Sequence, residues 1–226
     1  SAYELELMRT AARLSDRLAA SVPELLRPGM TELELAGKIE GLARAWGHQG
    51  IVRMRLWGNE LFYGHLMCGP DAEVHSNKAS PTGVAGPSAA MAQGAGRRAI
   101  ETNPPILRDK VFEQQGYMAD HTRIFCVGHR PPELLRAHAT MLQIQSQLSS
   151  QARPGVAAGE IYDLALVMAE KAGYGDSFMG AAIPRIKFVG HGVGLELDEY
   201  PFLANGQTMP LAEGMTISGP PSFPCV

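Results

Sequence analysis

The feature of this 226-residue chain that most restricts its fold is an internal duplication. Arg27-Pro28-Gly29-Met30, Glu34-Leu35 and Gly47 recur as Arg153-Pro154-Gly155-Val156, Glu160-Ile161 and Gly173, always 126 residues later. Each copy reads as a long helix, an Arg-Pro-Gly break, a second helix stopped by glycine, and then strands. The predicted helices cover 3–25, 31–46, 133–151 and 159–172. Thr31 with Glu34 forms a capping box that satisfies free amides at the start of the second. Two α/β halves, 1–127 and 128–226, are therefore expected about a pseudo-twofold axis, and ligand sites favour such junctions.

Composition narrows the function classes. A net charge of -3 gives no electrostatic reason to expect nucleic acid or an anionic membrane as partner. Charged side chains break every apolar run before it reaches spanning length, and Ser1-Ala2-Tyr3-Glu4 is not a signal peptide, so a cytoplasmic protein is expected. Cys68, Cys126 and Cys225 are three separated thiols without CxxC spacing, which suggests neither a disulfide framework nor structural zinc.

Chemistry concentrates in two places. Phe188-Val189-Gly190-His191-Gly192-Val193-Gly194 sets an imidazole between glycines that admit a close backbone or ligand. Val193, Leu195 and Leu197 alternate with polar residues and extend the predicted strand, placing Glu196 and Asp198 on one face. The second place is the predicted hairpin 106–127, turning near Gln114-Gln115-Gly116. A pairing centre between Gln114 and Gln115 sets Asp109 directly opposite Asp120. Like charges so placed repel, and a shared proton, Arg123 or a divalent cation would relieve them. Arg108 and Lys110 should point away from Asp109, and they put charge where a core strand is usually apolar.

These residues resemble a family. Gly116-Tyr117-Met118-Ala119-Asp120-His121-Thr122-Arg123-Ile124-Phe125, with Asp109 upstream, is similar to the metal-binding hairpin of M24 peptidases. That family includes methionine aminopeptidase, Xaa-Pro aminopeptidase, prolidase and creatinase. Gly190 to Glu196 resembles its histidine strand, and Glu213-Gly214-Met215-Thr216-Ile217 the turn before its first metal-binding glutamate. The resemblance implies an α+β pita-bread fold over 1–226, with two pseudo-symmetric halves around a mainly antiparallel curved sheet. It implies two divalent ions, Mn, Co, Zn or Fe, with Asp109, Asp120 and His191 matching three ligands. Substrate-side candidates are His65, His75, Asp198 and Glu199. The activity implied is hydrolysis at the amino-terminal end of short peptides, of the Xaa-Pro aminopeptidase or dipeptidase kind. A short peptide or small amide is the expected partner, and a homodimer is compatible.

The sequence also departs from the pattern. At the first glutamate position stands Pro220, and the second would fall beyond Val226, as in a chain cut short. Asp198-Glu199 takes the place of one substrate-side histidine; at the other the aligned residue is Ser76, with His75 next to it. No amino-terminal creatinase-type domain is expected. A peptide-binding protein without catalysis, or a metal-free creatinase-like hydrolase, is the alternative.

Overall fold

The computed structural model describes residues 1–55, 63–74, 83, 86–91, 93–180 and 185–219. Helix α1 (Ala2–Leu25) buries Ala11, Ser15, Leu18, Ala19 and Val22, one face at helical spacing. Helix α2 (Glu32–Ala45) opens on the Thr31–Glu34 capping box, where Glu34 N donates to Thr31 Oγ1 at 3.1 Å and Thr31 N to Glu34 Oε2 at 2.6 Å. Strands β1 (Gly64–Cys68), β2 (Pro105–Gln114) and β3 (Tyr117–Cys126) make an antiparallel sheet in that order, with a 3-10 turn at Gly69–Glu73. Helices α3 (Pro132–Gln151) and α4 (Ala158–Lys171) precede β4 (Phe188–Gly192), β5 (Glu199–Ala204) and β6 (Ile217–Ser218). In the second sheet β4 lies centrally, antiparallel to both neighbours. No helix among the described residues is long and apolar enough to cross a membrane.

The duplication is reproduced bond for bond. Gly29 N donates to Ile100 O at 2.8 Å, and Gly155 N to Leu211 O at 2.8 Å. Glu32 N to Arg98 O (3.0 Å) matches Ala158 N to Met209 O (2.9 Å). Leu33 N to Gly96 O (3.0 Å) matches Gly159 N to Gln207 O (2.9 Å). Donors lie 126 residues apart in every pair, and acceptors 111. The Arg-Pro-Gly break recurs because each turn needs a left-handed residue: φ is +84° at Gly29 and +93° at Gly155.

Each sheet lays one face on its own helices. Leu66, Cys68, Ile106 and Phe112 pack with Leu18, Val22, Leu35 and Ile39; Val189 and Leu203 pack with Ile144, Leu148 and Ile161. Arg108 and Lys110 lie on the helix-facing side of β2 and are buried, so that strand is covered despite its charges. Lys110 Nζ reaches Glu40 Oε1 of α2 at 3.0 Å, while the Arg108 guanidinium has no hydrogen-bond partner among the described residues. The halves meet along Val52, Val111, Met118, Val193 and Leu197, with Leu197 N donating to Arg53 O at 2.8 Å. The other faces of the two sheets carry the site.

Candidate metal centre

The hairpin register differs from the sequence expectation. Asp109 pairs with Thr122, and Asp120 with Val111. The turn residues are Gln115 (φ +52°) and Gly116 (φ +83°), the paired positive angles that two-residue hairpin turns require. This centres the hairpin one residue later than expected and shifts each partner by two. A shift of two preserves the face, so Asp109 and Asp120 still share one side, now diagonally. Thr122 Oγ1 donates to Asp109 Oδ1 at 2.7 Å. Burial, then the charge of Asp120, raises the Asp109 carboxyl to about 6. Arg123 does not relieve this repulsion; its guanidinium pairs with Asp16 of α1 at 2.8 Å, on the opposite face.

His191 comes from the second sheet. Gly190 and Gly192 let the flanking strands close in: a Cβ on Gly190 would sit 2.6 Å from Ser218 O, and one on Gly192 would collide with Tyr200 O. The His191 ring holds Nδ1 at 2.9 Å from Gly192 O, which assigns the proton there and turns Nε2 inward. Nε2 lies 3.5 Å from Asp120 Oδ2 and 3.5 Å from Asp198 Oδ1. Burial alone would lower its pKa, but the two carboxylates outweigh that and raise it to about 9. Ser218 Oγ donates to Asp120 Oδ2 at 3.0 Å, tying β6 to β3.

Two further groups face this point. His65 stands directly across from Asp109 in the β1–β2 ladder; it is buried, and its Nδ1 has no partner among the described residues. Burial, then nearby Lys110, lowers its pKa to about 4. Asp198 is 3% exposed with φ +63°, and its Oδ2 has no partner among the described residues. Its pKa is raised, by burial first.

The predicted strand does not continue past Gly192. Residues 193–198 form a bend, because Glu199 accepts hydrogen bonds from Leu195 N at 3.0 Å and Glu196 N at 2.9 Å. Glu199 is thereby tied into its own loop. Glu196 points outward to Arg55 at 2.9 Å and does not share a face with Asp198. His75, Ser76, Pro220 and Cys225 lie outside the described residues. Sequence reasoning missed Thr122 and Ser218 as carboxylate-holding hydroxyls. Only the correct cross-strand register would have found them.

Whether the residues suit a divalent cation turns on donor chemistry. Among the described residues no three His, Cys, Asp or Glu side chains form a ready cage. The donors suit a cation all the same: two same-face carboxylates disfavour each other's charge, an oriented imidazole faces them, and an orphaned Asp198 oxygen stands beside it. The 111-residue offset between halves aligns Asp109 with Pro220 in the sequence. Among the described residues the donors suit one ion better than two.

Two antiparallel sheets backed by paired helices, with acids of one facing the imidazole of the other, define a pita-bread α+β domain. Residues 6–223 match the model for metallopeptidase family M24, and the chain belongs to that family. It is 31% identical to the Xaa-Pro dipeptidase of Lactobacillus delbrueckii subsp. lactis over 220 residues, covering 97% of this chain and 51% of that protein. It is 27% identical to the Xaa-Pro dipeptidase of Pyrococcus furiosus, covering 97% and 54%. In solved structures, X-Pro aminopeptidase from Thermotoga maritima superposes with a TM-score of 0.77 at 24% identity over 96% of this chain and 53% of that one. Prolidase from Pyrococcus furiosus gives 0.76 at 25%, over 96% and 55%. The chain spans about half the length of the curated relatives it matches.

Proposed function

We propose that this chain carries a hydrolase site for short peptides, with Xaa-Pro dipeptides as the substrate class. The observation that carries the reading is the position of His191 Nε2, 3.5 Å from both Asp120 and Asp198. Asp109, Asp120 and His191 would hold one divalent ion, Mn, Co, Zn or Fe, with Asp198 beside them. Such an ion supplies Lewis-acid polarisation of the scissile carbonyl and makes a water nucleophilic near neutral pH.

The protein's own groups do the rest. Thr122 and Ser218 fix the two hairpin carboxylates, and Gly192 O fixes the imidazole, so the site is oriented before substrate arrives. His65 is kept neutral by burial, so on the Asp109 side it presents an uncharged imidazole that can hydrogen-bond a substrate amide without taking up a proton. The dipeptidase names of the relatives support the substrate class. Pro220 at the glutamate position favours a second reading, a pocket that binds peptides or splits a small amide without metal.

Hydrolysis of Ala-Pro, with and without chelator and added Mn, tests the proposal. Turnover lost to chelator, restored by Mn and absent in Asp120→Asn agrees with it. Turnover insensitive to chelator supports the metal-free hydrolase; binding without turnover supports the binding protein.

A further inference from the structure

Strand β5 presents a row of rings beside the site. Tyr200 and Phe202 alternate with Pro201 and Leu203, which are buried on the helix side, so both rings share the face that carries His191. His191 and Phe202 are register partners across β4 and β5. The Tyr200 and Phe202 rings lie 5.3 Å apart at 89°, Phe202 and Phe188 5.5 Å apart at 67°, and Phe188 and His191 6.0 Å apart at 82°. Each contact is edge-to-face within the range such pairs favour. The row is a continuous ladder from the imidazole to solvent, and its outermost ring, Tyr200, is 60% exposed.

Tyr200 has Phe202 on one side and is otherwise largely exposed, so the row is one rung short. We infer that the ladder is a specificity wall for aromatic substrate side chains and that Tyr200 is the residue that reads them. The inference rests on the proposed peptide-hydrolase reading and adds a preference to it: rings over aliphatic chains of similar size. A phenyl ring gains edge-to-face contact with Tyr200, whereas leucine gains only area. Tyr200 acts by binding and touches no reacting atom, so its effect belongs in KM.

The test compares Phe-Pro, Leu-Pro and Ala-Pro on wild type, Tyr200→Ala and Tyr200→Phe. Tyr200→Ala is expected to raise KM for Phe-Pro about 5- to 10-fold with kcat held. Leu-Pro should change less and Ala-Pro hardly at all, while Tyr200→Phe keeps the wild-type preference. An equal loss on all three substrates, or none, overturns the inference. If wild type hydrolyses none of them, the hydrolase reading falls, and the ladder is tested by NMR titration with N-acetylphenylalanine amide. Shifts at the Tyr200 ring that are absent with the leucine analogue support the wall; no ring-selective shift overturns it.

Discussion

Lys110 Nζ lies 3.0 Å from Glu40 Oε1, with the lysine side chain 2% exposed and the glutamate 33%. The ammonium is the deeper partner, so losing the carboxylate is worse than losing the pair. Removing one member of a buried pair strands the other's charge, whereas an apolar replacement of similar shape is often neutral. Glu40→Ala should lower stability by about 2 kcal/mol, discounted for the partly exposed carboxylate. Lys110→Met should melt within a few degrees of wild type. Thermal denaturation distinguishes the two.

The hairpin register can be tested at its turn. Gln115 and Gly116 both have positive φ, and only glycine takes that conformation without penalty. Gln115→Gly should stabilise the protein by about 0.5–1 kcal/mol, and Gly116→Ala should destabilise it by about 1 kcal/mol. A turn centred one residue earlier would not make Gly116 the more sensitive of the two.

His48, like His65, ties stability to pH on the acid side. It is buried, with Nε2–H donating to Val111 O at 3.1 Å and Nδ1 accepting from Gly50 N at 2.8 Å, and burial lowers its pKa to about 4. A pKa depressed from 6.5 means the unfolded chain binds the proton first. The stabilisation is full above pH 6.5 and is lost as the pH falls from 6.5 towards 4, by about 3 kcal/mol in all. In Tm measured against pH, His48→Gln should be less stable at neutral pH and fall less steeply over that window.

Asp109 and Asp120 predict how cations change stability. Without an ion, burial and mutual charge disfavour the Asp109 carboxylate. Asp109→Asn keeps the acceptor for Thr122 and should raise the Tm of cation-free protein at neutral pH. Added Mn should stabilise wild type by about 2.7 kcal/mol at one hundred times Kd, and Asp109→Asn or Asp120→Ala should remove most of that gain.

Much of this architecture was legible because its signals are local. The Arg-Pro-Gly repeat, the Thr31–Glu34 box and the Gly47 and Gly173 stops each act within a few residues, and all four helices lie within about one residue of expectation. The hairpin was placed, but its register depends on which two residues take positive φ, and Gln115 carries no strong mark for that conformation. Val193 to Asp198 failed for another reason. Their alternation is real, but Glu199 satisfies the Leu195 and Glu196 amides and folds the segment into a bend. Asp109, Asp120 and His191 stand out in the sequence because their neighbours mark them; the inward turn of Asp198 depends on its φ of +63° and on its approach to His191.

The proposed site depends on one convergence: hairpin acids from the first sheet and His191 from the second sharing a cation. The most direct measurement is the histidine side-chain NMR spectrum during titration with trace Mn, whose paramagnetism broadens signals within reach. The prediction is selective loss of the His191 and His65 resonances at substoichiometric ion, with both retained in Asp120→Asn. Broadening confined to other histidines, or identical in wild type and Asp120→Asn, would contradict it.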